Sequence, residues 1–117
     1  LTDYRVIKTY DSPYPNPIYF RKGESVKIEK EFNDDPAWRD WIWCIASNGR
    51  QAWAPKQFLI INKSNGIFLR DYNARELNLE IGELLEISEI VNGFGWSRNT
   101  SGEYGWAPLN HLVEIQP

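Results

Sequence analysis

The motif Gly-x-x-x-Trp-Ala-Pro stands twice in this chain, at Gly49 to Pro55 and again at Gly102 to Pro108, 53 residues later. A repeat at that period means a small module present in two copies. The offset holds without a gap across this region: Trp43 falls on Trp96, Trp53 on Trp106, Pro55 on Pro108 and Phe58 on His111. Upstream, Gly23-Glu24 corresponds to Gly82-Glu83, and Tyr10 to Tyr72, with loops of different length between them. The 117 residues therefore divide into two modules of roughly 50–60, near the lower size limit for independent folding. Asn62-Lys63-Ser64-Asn65-Gly66 reads as a polar linker between them. Five extended residues reach only about 17 Å. The expected domains are thus 1–62 and 66–117, packed side by side.

Few segments have a helical period. Val26 to Glu29 and Leu84 to Ile90 contain the apolar/polar alternation of half-buried strands, and Trp41 to Ala46 is β-branched and aromatic. Ser47-Asn48-Gly49-Arg50 separates that run from Gln51 to Ala54, and Asn-Gly between such runs signals a hairpin with positive φ at both central residues. Ser101-Gly102 occupies the equivalent place later. Short strands at close spacing predict an all-β fold built as small antiparallel barrels.

Charge and cysteine usage bound the function. Residues 1–62 hold nine Lys/Arg against eight Asp/Glu, while 63–117 hold four against eight. The acidic second half argues against a phosphate-tracking groove, hence against a nucleic-acid partner. All apolar runs are too short for a membrane span. The lone Cys44 can form no internal disulfide and points to a reducing, cytoplasmic compartment. Leu at position 1 and the absence of Met mark a processed or excised chain, so a removed leader stays open.

In order, the pieces resemble the SH3 family of five-stranded barrels. Val6-Ile7-Lys8-Thr9-Tyr10 and Phe68-Leu69-Arg70-Asp71-Tyr72 are similar to its opening Ala-Leu-Tyr-Asp-Tyr. Ile18 to Glu24 and, more loosely, Leu77 to Glu83 resemble its Leu-Ser-Phe-Lys-Lys-Gly-Glu. Trp41-Ile42-Trp43 and Phe94-Gly95-Trp96 resemble its Trp-Trp strand. Ala52 to Leu59 and Gly105 to Leu112 resemble its closing Gly-Phe-Val-Pro-x-Asn-Tyr-Val. The wording is most similar to the uncharacterised tandem variant SH3 proteins of bacteria. The resemblance implies two tandem SH3-like barrels acting as a non-catalytic scaffold that binds a protein or peptide, with no cofactor and no metal.

It also implies where a ligand sits. Proline-rich peptides are already extended, so flat rings bind them at little ordering cost. In the first copy the groove falls to Lys8, Tyr10, Tyr14, Trp41, Pro55 and Phe58, with Asp34, Asp35 and Asp40 as either a clamp for a ligand cation or a solvated loop. Second-groove candidates are Arg70, Tyr72, Phe94, Trp96, Pro108, Asn110 and His111; a shift of two would put Trp96 rather than Phe94 at the groove position. The second copy's first loop is shorter, which makes the first copy the better groove. Trp53 and Trp106 follow the family's barrel position and are expected in the core. Pro13, Pro15 and Pro17 stiffen the first loop, as a rigid turn, a groove wall, or a ligand for the other copy. Rival readings are a cell-wall peptide module, an aromatic cage for methylated lysine, and a structural pair with closed grooves. One His and one Cys, in different copies, assemble no catalytic constellation.

Overall fold

In a computed structural model the chain is described over residues 2–116. Twelve strands follow in order: β1 Thr2–Val6, β2 Tyr19–Phe20, β3 Ser25–Phe32, β4 Trp41–Ala46, β5 Gln51–Pro55, β6 Leu59–Asn62, β7 Asn65–Phe68, β8 Tyr72–Asn73, β9 Leu84–Val91, β10 Phe94–Asn99, β11 Tyr104–Pro108 and β12 Leu112–Glu114. Two single-turn 3₁₀ helices, Lys56–Phe58 and Leu109–His111, follow the two Trp-Ala-Pro motifs. No α-helix occurs among the described residues. The expected all-β class and the two SH3-like five-stranded barrels are what the chain forms.

The domain boundaries are not those expected. One compact unit is Pro17–Ala74; the other joins the two flanking segments, up to Asn16 and from Arg75 onward. In unit 17–74 the sheet order is β5-β4-β3-β7-β6, with β2 paired to β8. In the flanking unit it is β11-β10-β9-β1-β12. The opening strand of each sequence copy is therefore built into the barrel of the other. The stretch at residues 62–66 decides this. It is no linker: Asn62 pairs with Asn65, and the two-residue turn holds Lys63 at φ 56°. That turn folds β7 straight back onto β6, with Leu59 opposite Phe68 and Ile60 opposite Ile67.

Within each unit the repeat is faithful. β3 carries one extra residue between Ile28 and Lys30, and β9 one between Ile87 and Glu89, opposite the same point of β4 and β10. Such bulges bend a long strand and increase its twist. The β4–β5 connection differs from the primed turn expected. Only Gly49 has positive φ (87°), and its N–H donates to the Ala46 carbonyl at 3.0 Å. Gly102 repeats this at φ 83°, donating to Asn99 at 3.0 Å. Each is thus a type I turn closed by a left-handed glycine.

The core of unit 17–74 centres on Phe20, Ile42, Leu59 and Phe68. Phe20 and Phe68 stack at 4.8 Å with Tyr72 beside them. In the flanking unit Val6, Leu77, Leu79, Leu85, Ile87, Ala107 and Leu112 form the core, with Tyr4, Tyr10 and Leu109 packed against it. Cys44 is fully buried in β4, and burial pushes its thiol up to about 12. It is an inert strand residue. Ser97, its repeat partner, is equally buried and donates to the Gly95 carbonyl at 2.9 Å.

Candidate functional site

The outward faces of the sheets follow from alternation. In β4, Ile42, Cys44 and Ala46 point into the barrel, so Trp41, Trp43 and Ile45 point out. Across the ladder Trp41 faces Pro55, and Trp43 faces Trp53. Trp53 is half-buried on this outer face and is not core, against expectation; Trp106 is buried. Trp43 and Trp53 meet edge to face at 5.2 Å, and the Lys30 ammonium lies 5.4 Å and 5.6 Å from their ring centroids.

Pro55 leads into the first 3₁₀ turn, which delivers Phe58. Phe58 meets the edge of Tyr72 at 5.6 Å, and the Tyr72 hydroxyl donates to the Trp53 carbonyl at 2.8 Å. The Arg70 guanidinium sits 4.3 Å over the Phe58 ring. Unit 17–74 thus gathers Trp41, Pro55 and Phe58 from the first predicted groove with Arg70 and Tyr72 from the second. Its acidic loop is partly committed to structure. Asp35 accepts the Ala37 N–H at 2.9 Å, and Asp40, at φ 64°, accepts the Lys56 N–H on its carbonyl at 2.8 Å. Asp34 is exposed.

Lys8, Tyr10 and Tyr14, expected beside Trp41, lie in the flanking unit with Phe94, Trp96, Pro108, Asn110 and His111. There Phe94 faces Pro108 and Trp96 faces Trp106, so Phe94 and not Trp96 stands where Trp41 stands in unit 17–74. Tyr10 meets the His111 ring edge-on at 5.2 Å, and His111 Nδ1 lies 3.0 Å from the Thr9 carbonyl. His111 is buried; Lys8 and Asn110 are exposed. The stiff loop is pinned rather than free-standing: the Tyr14 carbonyl accepts the Glu76 N–H at 2.9 Å, and the Pro15 carbonyl accepts Arg75 Nε at 3.1 Å.

Glu76 was not singled out by the sequence, and nothing in its neighbours marks it. Its Oε1 accepts the Tyr10 hydroxyl at 2.7 Å and the Ser12 hydroxyl at 2.8 Å. Burial raises its carboxyl above the ordinary 4.5, against the lowering effect of those hydrogen bonds, and burial plus the Glu76 charge raise the Tyr10 hydroxyl as well. A raised folded value means the native state binds this proton more tightly than the unfolded chain. The contribution is full below the unfolded value of about 4.5 and is lost as pH rises through the folded value. Glu76→Gln keeps the Oε1 acceptor and removes the charge. It is expected to raise the melting temperature at pH 7, with the gain vanishing near pH 4. Melts at both values check this; a variant less stable at pH 7 would contradict it.

The family model of the variant SH3 domain matches residues 4–61. The chain carries an SH3-like domain. No curated protein and no solved structure matches it. The SH3 match runs from β1 to β6, in the order in which an SH3 sequence is written, while the SH3-like barrel that contains β6 takes β7 in place of β1. SH3 domains are in general non-catalytic protein-interaction modules that take extended peptides between aromatic rings. No helix among the described residues is long and apolar enough to cross a membrane.

Proposed function

We propose that the chain reads an extended, proline-rich peptide through the ring cluster of unit 17–74. The observation that carries this is the gathering of Trp41, Pro55, Phe58 and Tyr72 on one unit, with a guanidinium over Phe58. Arg70 places a cation where the family has a ring. Unit 17–74 holds nine Lys/Arg against seven Asp/Glu, a net +2, whereas the flanking unit holds four against nine, a net −5. Neutral or acidic proline-rich peptides should therefore bind better than Arg-led ones.

A second reading, a scaffold with closed grooves, is favoured by burial. Trp41, Phe58 and Tyr72 are only 7%, 6% and 4% exposed, so a ligand has to uncover them. Titrating isotope-labelled protein with acidic, neutral and Arg-led proline peptides separates the two. Shifts are expected around residues 41, 55, 58, 70 and 72. Trp41→Ala should weaken binding by about 2 kcal/mol, as loss of an aromatic anchor does. No shift at millimolar peptide would establish the closed scaffold, and shifts confined to Tyr10, Phe94 and His111 would move the site to the flanking unit. Binding to purified peptidoglycan or to a trimethyl-lysine peptide alone would favour the cell-wall or cage reading.

A further inference from the structure

We propose that the outward sheet face of unit 17–74 is a second binding surface, which takes an acidic, extended stretch of a partner protein on a shelf of tryptophan rings topped by lysine. Directly opposed residues of a ladder point to the same side. Lys30 therefore stands beside Trp43, and Lys27 beside Ile45, on the face that Trp43 shares with Trp53. Phe32 closes one end of the shelf, its ring edge-on to Trp53 at 5.9 Å. Phe32, Trp43 and Trp53 are each half-buried, and both lysines are exposed. The Trp43 indole N–H donates to Gln51 Oε1 at 3.0 Å, which holds its ring in place. This surface is distinct from the Trp41–Phe58 ring cluster and does not depend on that cluster opening.

The charge on the shelf suits an anion. Among the described residues neither Lys27 nor Lys30 meets a carboxylate, whereas Arg50 pairs with Glu24 and Lys56 with Glu31. The Lys30 ammonium lies 5.4 Å and 5.6 Å from the Trp43 and Trp53 centroids, drawn there by the negative faces of the rings. A bare ring face repels a carboxylate. With an ammonium over the rings, a carboxylate meets the cation while the apolar part of its chain covers the indoles. Lys27 and Lys30 face residues two apart on β4, a spacing of about 7 Å. Same-side residues of an extended peptide have that spacing too, so acidic residues two apart match both lysines.

The flanking unit carries the same rings with the opposite charge. Trp96 faces Trp106 there as Trp43 faces Trp53. Where Lys27 and Lys30 flank the bulge of β3, Glu86 and Glu89 flank that of β9. The cation on that face, Arg98, is paired to Glu86. The ring platform is thus common to both barrels, and charge sets what each accepts; the face bearing glutamates rejects an acidic stretch. A nucleic acid fits the lysine face less well. Two lysines neutralise few phosphates, and Glu29 and Glu31 are exposed on the same strand.

The test is a titration of the isotope-labelled full chain with an octapeptide of alternating Glu and Leu, which contains no proline. Shifts are expected at the Trp43 and Trp53 indole N–H groups and at the amides of Lys27, Lys30 and Ile45, weakening when salt is raised to about 0.5 M. Lys27→Glu/Lys30→Glu should weaken binding about tenfold or more, because like charges then face each other. The other barrel already holds glutamate at both positions, so the fold accepts the change. Lys27→Arg/Lys30→Arg should keep the binding, which separates lost charge from a damaged surface. A Lys-Leu octapeptide should leave these signals unmoved. The proposal is overturned by no shift at millimolar Glu-Leu peptide, by equal binding of the Lys-Leu peptide, or by undiminished affinity in the double Glu variant. Shifts confined to Phe58, Arg70 and Tyr72 would overturn it by placing the peptide in the ring cluster. Tighter binding of oligothymidylate would give the face to nucleic acid, and the same shifts on concentrating the chain alone would give it to a second copy; either overturns the proposal.

Discussion

Expressed alone, residues 17–74 are expected to unfold in one cooperative transition, whereas residues 1–62 are not expected to fold. The first segment carries all five strands of its barrel together with the β2–β8 pair. The second lacks β7 and would have to place β1 in the vacant slot. There a Cβ at the Gly66 position would meet the tips of Leu59 and Ile28 at 2.9 and 3.1 Å, so both side chains have to shift to admit Tyr4. Val6 in place of Phe68 would leave part of the Phe20 stack without a partner, a further loss of about 2 kcal/mol or more. A unit of this size has only about 3–9 kcal/mol of stability in total. Urea melts followed by Trp fluorescence decide the point. If 1–62 proved as stable as 17–74, the two strands would be interchangeable and the account of the exchange would fail.

Phe68→Ala is expected to unfold unit 17–74 selectively. Phe68 is 1% exposed and packs against Phe20 at 4.8 Å and Tyr72 at 5.9 Å, all three rings within 18° of parallel. Truncating such a ring costs about 3–5 kcal/mol through lost burial and the cavity left behind. That is much of what the unit has. The location of the damage matters as much as its size. In sequence order Phe68 opens the second copy, so a simple tandem would lose the signals of residues 75–116. The exchanged fold predicts instead that amide signals vanish across Pro17–Ala74 while Leu77, Leu85 and Leu112 keep their dispersion. Amide spectra of the full chain carry the answer.

The ring cluster of unit 17–74 shows how far the sequence reaches. Trp41, Pro55 and Phe58 are legible because their spacing is local: one hairpin sets Trp41 opposite Pro55, and one 3₁₀ turn follows. Tyr72 and Arg70, which the sequence reading gives to the second groove, stand in unit 17–74. Lys8, Tyr10 and Tyr14 were assigned beside Trp41 by the same reasoning and lie in the other unit. The clue that could have corrected both was Leu59-Ile60-Ile61 and Ile67-Phe68-Leu69 flanking a short polar run with Asn-Gly at its end, which is a hairpin pattern. The repeat made the same run look like a linker.

Local residue order by itself determined most of the strands, the positions of the β4–β5 and β10–β11 turns and the two-copy plan. Alternation fixes which side of β4 faces inward, and Gly49 and Gly102 fix where the β4–β5 and β10–β11 hairpins reverse; neither needs a distant partner. Which opening strand enters which barrel was decided only in three dimensions. β1 and β7 end on Val6 and Phe68, where two stretches resembling one opening motif begin, and their difference lies in how Tyr4 and Val6, or Gly66 and Phe68, fill space against other strands. The burial of Glu76 beneath Tyr10 and Ser12 belongs to the same class, since its partners sit more than sixty residues distant in sequence. Packing volume and desolvation are properties of the assembled neighbourhood, and a sequence read residue by residue does not contain the neighbourhood until the chain has chosen its pairing.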